Sequence, residues 1–230
     1  NTEKESSYSL LITKKLITVF STKVALTMLM MEQFKWRRKK MSNDKTSELH
    51  EYLKQVPTGF LTDAFRRLGL TGWVQGITPI TSKNSQVAGK AVTVEYSRKR
   101  SPDSKTYNLY EIINECGPGD VLVLGAFGTE SWTLGENTVH AALYQETEGL
   151  VIDGCVRDSS EISAMDIPVL CRGVGIKPPD VQRVDYNSTI YCQGVQVCPG
   201  DWIVGDEDGT IVIPDNHIDE VVKQAKDIEE

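Results

Sequence analysis

Apolar and polar positions alternate between two periods along most of the chain. Leu49, Tyr52, Leu53 and Val56 recur at helical spacing until Pro57 stops the run, and Phe60, Leu61, Ala64, Phe65 and Leu68 trace a second helix. Thr58 is placed to cap that helix and Gly69 to end it. Between Ala91 and Tyr96 the period changes to two, which predicts a half-buried strand. Leu109, Ile112 and Ile113 mark a third helix, and the GPGD turn at 117–120 leads into Val121–Leu124, an apolar run of the kind buried on both faces.

A glycine-containing loop, GAFGTESWTLGEN, is expected next, then a helix from about Asn137 to Gln145 and a strand at Leu150–Ile152 closed by a glycine turn. Strand, helix and strand in that order form a crossover unit with parallel strands. A short helix at 160–165 returns the chain to a strand at Pro168–Cys171, and residues 173–186 show no clear period. From Ser188 the turns in TIYCQGVQV, CPGD and WIVGDEDGTIVIP predict an antiparallel β layer, with DEDG at 206–209 as a hairpin turn. A last helix spans about Asn216–Glu230, with Ile218, Val221, Val222 and Ala225 inward.

Charge divides the chain unevenly. Residues 1–40 carry nine Lys and Arg against three Glu, while the whole chain has a net charge of −7, so residues 41–230 form an acidic body. That body does not suit a nucleic-acid groove, which needs clustered cations. The early apolar segment LLITKKLITVFSTKVALTMLMM contains Lys14, Lys15 and Lys23, and is therefore not expected to span a membrane. Its basic, hydroxyl-rich composition leaves a targeting presequence open. The preferred division takes residues 1–40 as an extension, poorly ordered or not native, and 41–230 as one domain starting at Met41. Five cysteines without CxxC spacing indicate neither a zinc site nor a disulfide framework, and a cytoplasmic location is expected.

The candidate chemistry lies between Gly135 and Glu161. Arg157 offers a planar fork able to bind a carboxylate twice, and Asp158 is a hard oxygen ligand suited to Mg2+ or Mn2+. Glu136 and Glu161 could orient waters around such an ion. The amides of Asn137 and Thr138, at the start of a helix, suit an anionic oxygen. Structural ion pairs, a helix cap and acids complementing a helix dipole account for the same residues without chemistry. His140 reads as a surface residue and Cys155 as a small buried one.

GDVLVL, LGEN, EGLVIDGCVRDSSE and QGVQVCPGDWIVGDEDGTIVIP together resemble the RraA-like family, over about Glu48 to the C-terminal helix. That family includes metal-dependent 4-hydroxy-4-methyl-2-oxoglutarate aldolases with oxaloacetate decarboxylase activity, and also regulators of ribonuclease E. The resemblance implies a layered α/β/β swivelling-domain fold with a C-terminal helix, a trimer or hexamer, and a 2-keto acid substrate. It assigns the pyruvate carboxylate to Arg157, Mg2+ or Mn2+ to Asp158, and the keto acid to the backbone after Gly135, at Asn137 and Thr138. Glu136 takes the place of the acid that orients metal waters, and Glu229 or Glu230 that of an acid from a neighbouring subunit. The regulator branch, which masks a ribonuclease or helicase, typically lacks the aspartate found here at 158, so the enzyme is the expected reading.

Overall fold

The computed structural model describes residues 44–101, 103 and 106–230, so the extension expected over residues 1–40 lies outside the described residues. The chain divides into two units, residues 1–49 and His50–Glu230. The first is described only where helix α1 (Asp44–Leu53) begins. Helix α2 (Thr58–Leu68) and two short strands, β1 (Trp73–Val74) and β2 (Thr78–Pro79), open the second.

Four parallel strands form the centre of that unit: β3 (Val87–Arg98), β4 (Asp120–Leu134), β5 (Gly149–Val156) and β6 (Val169–Val174). They are neighbours in sequence as well as in the sheet. Helices α3 (Leu109–Ile113), α4 (Glu136–Tyr144) and α5 (Ser159–Ser163) connect them. Ile112, Ile113, Val139, Ala142 and Ile162 from these helices share one core with Leu122, Leu124, Leu150 and Ile152, so all three helices cover the same face. Successive right-handed crossovers have that consequence.

The intervening strand residues Val121, Val123 and Val151 belong to a second core on the other face. A strand buried on both sides reads as an unbroken apolar run. The second core is covered by a hairpin of β8 (Ile190–Cys192) and β9 (Val195–Val197), through Ile190, Cys192 and Val197. Gly125 admits this hairpin, because a Cβ there would stand 3.2 Å from the Ile190 side chain and from the Tyr191 carbonyl. Helices, main sheet and hairpin give the α/β/β layering, and helix α6 (Ile218–Glu229) closes the chain.

The β3 strand serves two partners along one edge. Strand β10 (Trp202–Gly205) pairs antiparallel with its first residues, Trp202 facing Lys90, and strand β7 (Val181–Tyr186) with its last, Val181 facing Arg98. Strand β11 (Thr210–Ile213) continues the sheet from β10 to β1, while β2 borders β6.

Several expectations are corrected. The segment read as a loop after Leu124 is the distal half of β4, which continues to Leu134. Bulges hide it from the sequence: Leu124 faces Ile152 and Thr129 faces Gly154, with Phe127 and Gly128 in left-handed conformations at φ 42° and 69°. Gly154 lies inside β5 instead of forming a turn. The aperiodic segment 173–186 contains β7, and of the two C-terminal hairpins only β8–β9 forms a separate layer. Thr58 does not cap α2 with its own hydroxyl. Asp206, in the expected DEDG turn, accepts from both the Thr58 amide and its Oγ1 at 2.8 Å. No helix among the described residues is long and apolar enough to cross a membrane.

Candidate active site

The site begins where β5 ends. Arg157 follows the last strand residue, and its amide donates to the Leu134 carbonyl at 3.1 Å, joining the ends of β5 and β4. Asp158 then adopts a left-handed backbone, φ 60° and ψ 40°. A non-glycine residue there costs about 1 kcal/mol, least for Asp and Asn. That turn points the carboxylate back to the start of α4. Its Oδ2 accepts from the Glu136 amide at 3.2 Å and lies 3.5 Å from Arg157 Nε. Residue 135 must be small: a Cβ on Gly135 would fall 2.3 Å from Asp158 Oδ2 and 3.1 Å from Arg157 Nε.

A cavity of about 270 Å³ opens above this corner, lined by Asn108, Leu109, Tyr110, Trp132–Gly135, Asn137, Thr138, Arg157, Asp158 and Arg183. The volume suits a small metabolite. Arg157 is about half exposed (47%), with its guanidinium carbon 4.1 Å from the centre of the Trp132 ring. Stacking on an aromatic face orients the fork while leaving its N–H edge free for an anion.

Trp132 is itself anchored. Its amide donates to the Lys177 carbonyl at 3.1 Å. Beside it Ser131 Oγ donates to Asp180 at 2.7 Å and Thr129 Oγ1 at 3.2 Å. Lys177 and Arg98 each reach the same carboxylate at 3.1 Å. The Ser131 hydrogen bond, then that from Lys177, holds the Asp180 carboxyl well below the usual carboxylate range.

The expected residues separate on this geometry. Gly135, Asn137, Thr138, Arg157 and Asp158 meet at the cavity. Glu136 does not line it with its side chain; its amide is taken by Asp158. The Thr138 amide, expected to be free, donates to the Gly135 carbonyl at 3.0 Å because the first turn of α4 tightens. Only the Asn137 amide, of the two, lacks a partner among the described residues. Glu161 is exposed on α5 and His140 exposed on α4, both outside the cavity lining. Glu229 is exposed near the end of α6, beside Tyr52, whose phenol is pushed up to about 12 by burial and then by that carboxylate. Burial likewise raises the Cys155 thiol, which does not suit a nucleophile.

Sequence reading missed Trp132, Arg183, Asn108 and Tyr110, which reach the cavity from β4, β7 and the region of α3. It also missed an ion pair one strand away in which the carboxylate is buried. Asp153 on β5 is 2% exposed, bonds Arg172 Nε on β6 at 2.5 Å, and accepts from the Gln193 amide at 3.0 Å.

Among the described residues no three His, Cys, Asp or Glu side chains gather into a metal-binding group. Asp158 nevertheless keeps Oδ1 without a hydrogen-bond partner among the described residues, at the edge of an open cavity. One such oxygen fits Mg2+ or Mn2+, which fill their remaining positions with water and substrate.

A family model described as RraA-like, Aldolase/RraA, matches residues 58–212. The chain belongs to the RraA-like family. A Halalkalibacterium halodurans relative, provisionally named 4-hydroxy-4-methyl-2-oxoglutarate aldolase, is 34% identical over 75% of this chain and 80% of its own length. An Arabidopsis thaliana protein, provisionally named 4-hydroxy-4-methyl-2-oxoglutarate aldolase 2, is 30% identical over 68% of this chain and 94% of its own. Among solved structures, Streptomyces coelicolor RraAS2, described as an unusual member of the RNase ES inhibitor RraA protein family, superposes with a TM-score of 0.73. It is 29% identical and covers 79% of this chain and 93% of its own. RraA-like relatives thus carry both aldolase and ribonuclease-inhibitor names.

Proposed function

We propose that the chain is a divalent-metal-dependent carbon–carbon lyase. It cleaves 2-keto dicarboxylic acids such as 4-hydroxy-4-methyl-2-oxoglutarate or oxaloacetate and releases pyruvate. The observation that carries this reading is the convergence of a stacked Arg157 and an open Asp158 oxygen on one small cavity. Asp158 would hold Mg2+ or Mn2+, which supplies Lewis-acid polarisation of the 2-keto oxygen when bound.

Arg157 binds the adjacent carboxylate through two parallel N–H bonds, and Trp132 keeps the guanidinium plane in one orientation. The unpartnered Asn137 amide, on a residue lining the same cavity, is available to the oxygen on which charge accumulates as the carbon–carbon bond breaks. Retro-aldol cleavage and loss of CO2 from oxaloacetate leave charge on that same oxygen, so one arrangement serves both. The aldolase names of relatives support the reaction class.

Pyruvate release from either acid, compared in Mg2+ and in EDTA, tests the reading. Release only with Mg2+ is expected; equal release in both, or none from either acid, overturns it. The likeness to a ribonuclease inhibitor favours a second reading, a regulator that binds a ribonuclease or helicase. Capture of such a partner by a protein that turns over no keto acid would select it. Assembly as a trimer or hexamer is also proposed, supported by apolar side chains left open to solvent, Ile176 at 90% and Tyr144 at 86%.

A further inference from the structure

The cavity contains a second guanidinium, that of Arg183, which lies 5.9 Å from the centre of the Tyr96 ring but has no carboxylate partner among the described residues. Arg183 lies on β7, opposite Tyr96 of β3, and is half-buried. Its amide donates to Thr106 Oγ1 at 3.0 Å, and its Nε donates to the Tyr107 carbonyl. These bonds hold the stem and one edge of the fork. The terminal nitrogens form no ion pair among the described residues, whereas Arg98, Arg172, Lys54, Lys90 and Lys177 each have a carboxylate partner.

A half-buried cation without a counter-ion is expensive unless something else supplies the charge. Arg157 is little better compensated, with Asp158 at 3.5 Å from its Nε. Two guanidinium groups and one carboxylate therefore line a cavity of about 270 Å³. With the divalent ion proposed at Asp158 the lining carries a net charge of +3, so a dianion is better matched than a monoanion, and a monoanion held by Arg157 would leave Arg183 without an anionic partner.

We propose that Arg183 is a specificity-determining residue: it binds the distal carboxylate of a 2-keto dicarboxylic acid whose keto-acid end is held at Arg157 and Asp158. The assignment rests on the lyase reading above and adds the group that separates dicarboxylic from monocarboxylic substrates.

Calorimetric titration of the full chain in Mg2+ tests it with two uncleaved ligands of equal length, 2-oxoglutarate and 2-oxopentanoate, which differ in the distal carboxylate. The wild type should bind 2-oxoglutarate about tenfold or more tightly, as a charge-assisted hydrogen bond implies. Arg183→Gln should abolish that preference and leave 2-oxopentanoate within about twofold of the wild type. Arg183→Lys, keeping the charge but not the fork, should retain part of it. Equal wild-type affinities for the two ligands would overturn the assignment, even if a variant failed to fold. Equal weakening of both ligands by Arg183→Gln would overturn it too, by making Arg183 a general support. If neither ligand binds the wild type, the keto-acid site itself fails and this assignment falls with it. Binding of both without preference sinks the assignment alone.

Discussion

Two aspartate–arginine pairs stand five residues apart along the same strand end, and they differ in what they leave unfinished. In the first, Asp153 is closed: 2% exposed, bonded to Arg172 Nε, with the Gln193 amide on its other oxygen. In the second, Asp158 is open: its Oδ1 has no partner among the described residues, and Arg157 lies 3.5 Å away on an aromatic face. The closed pair joins two strands and a hairpin. The open pair is held by a left-handed backbone and a glycine without a side chain to fill the gap. Spare valence at a rigid position, more than charge itself, separates a site from a scaffold.

That contrast gives opposite expectations for similar substitutions. Asp153→Ala removes the buried carboxylate and leaves the Gln193 amide and the partly exposed Arg172 without their partner, and should cost about 1–3 kcal/mol of stability, measured by urea unfolding. A loss below about 1 kcal/mol would show that the closed pair is not structural. Asp158→Gly relieves the left-handed backbone but loses the bond from the Glu136 amide, so stability should change by less than about 1 kcal/mol. The same change should lower Mg2+-dependent pyruvate release on the order of a hundredfold or more. Retention of wild-type turnover would remove the contrast altogether.

The smallest effect concerns Asp180, which is closed like Asp153 but lies at the surface. Its folded pKa is depressed, so its contribution is present above the unfolded value of 3.8 and is lost as pH falls below it. Asp180→Asn should flatten the decline in stability below about pH 4 and loosen Trp132, seen as a red shift in tryptophan emission. An unchanged acid-unfolding profile would argue against that carboxylate as the anchor of the β4 bulge.

The regular parts of the fold were legible because burial there follows one period. Val121–Leu124, the crossover helix and the last helix fall where the apolar pattern places them. The distal half of β4 was not legible, because left-handed residues at Phe127 and Gly128 break the alternation that would reveal it. Strand β7 was hidden for another reason: all its residues after Val181 are partly exposed on both faces, so no period of two appears.

At the site, residues adjacent in sequence were found and those brought in by pairing were not. Arg183 reaches the cavity through its register with β3, and Trp132 through a bulged strand taken for a loop. The Asp153–Arg172 pair did leave a trace. A charged residue directly after an apolar run on each of two adjacent strands, with Ile152 facing Cys171, is the pattern a cross-strand ion pair would make.

The shared edge of β3 makes the length of that strand a measuring rod. Strand β10 docks at Val87–Lys90 and β7 at Val94–Arg98, while loop carbonyls and amides pair with Ala91 and Thr93 between them. An insertion or deletion of one residue in this interval would leave β10 in place and turn Arg183 toward the opposite face of the sheet. Substitutions at the cavity can therefore retune the ligand in small steps, but a change in the length of β3 would remove one wall in a single event. Descendants of this chain are free to vary the composition of the strand far more readily than its count.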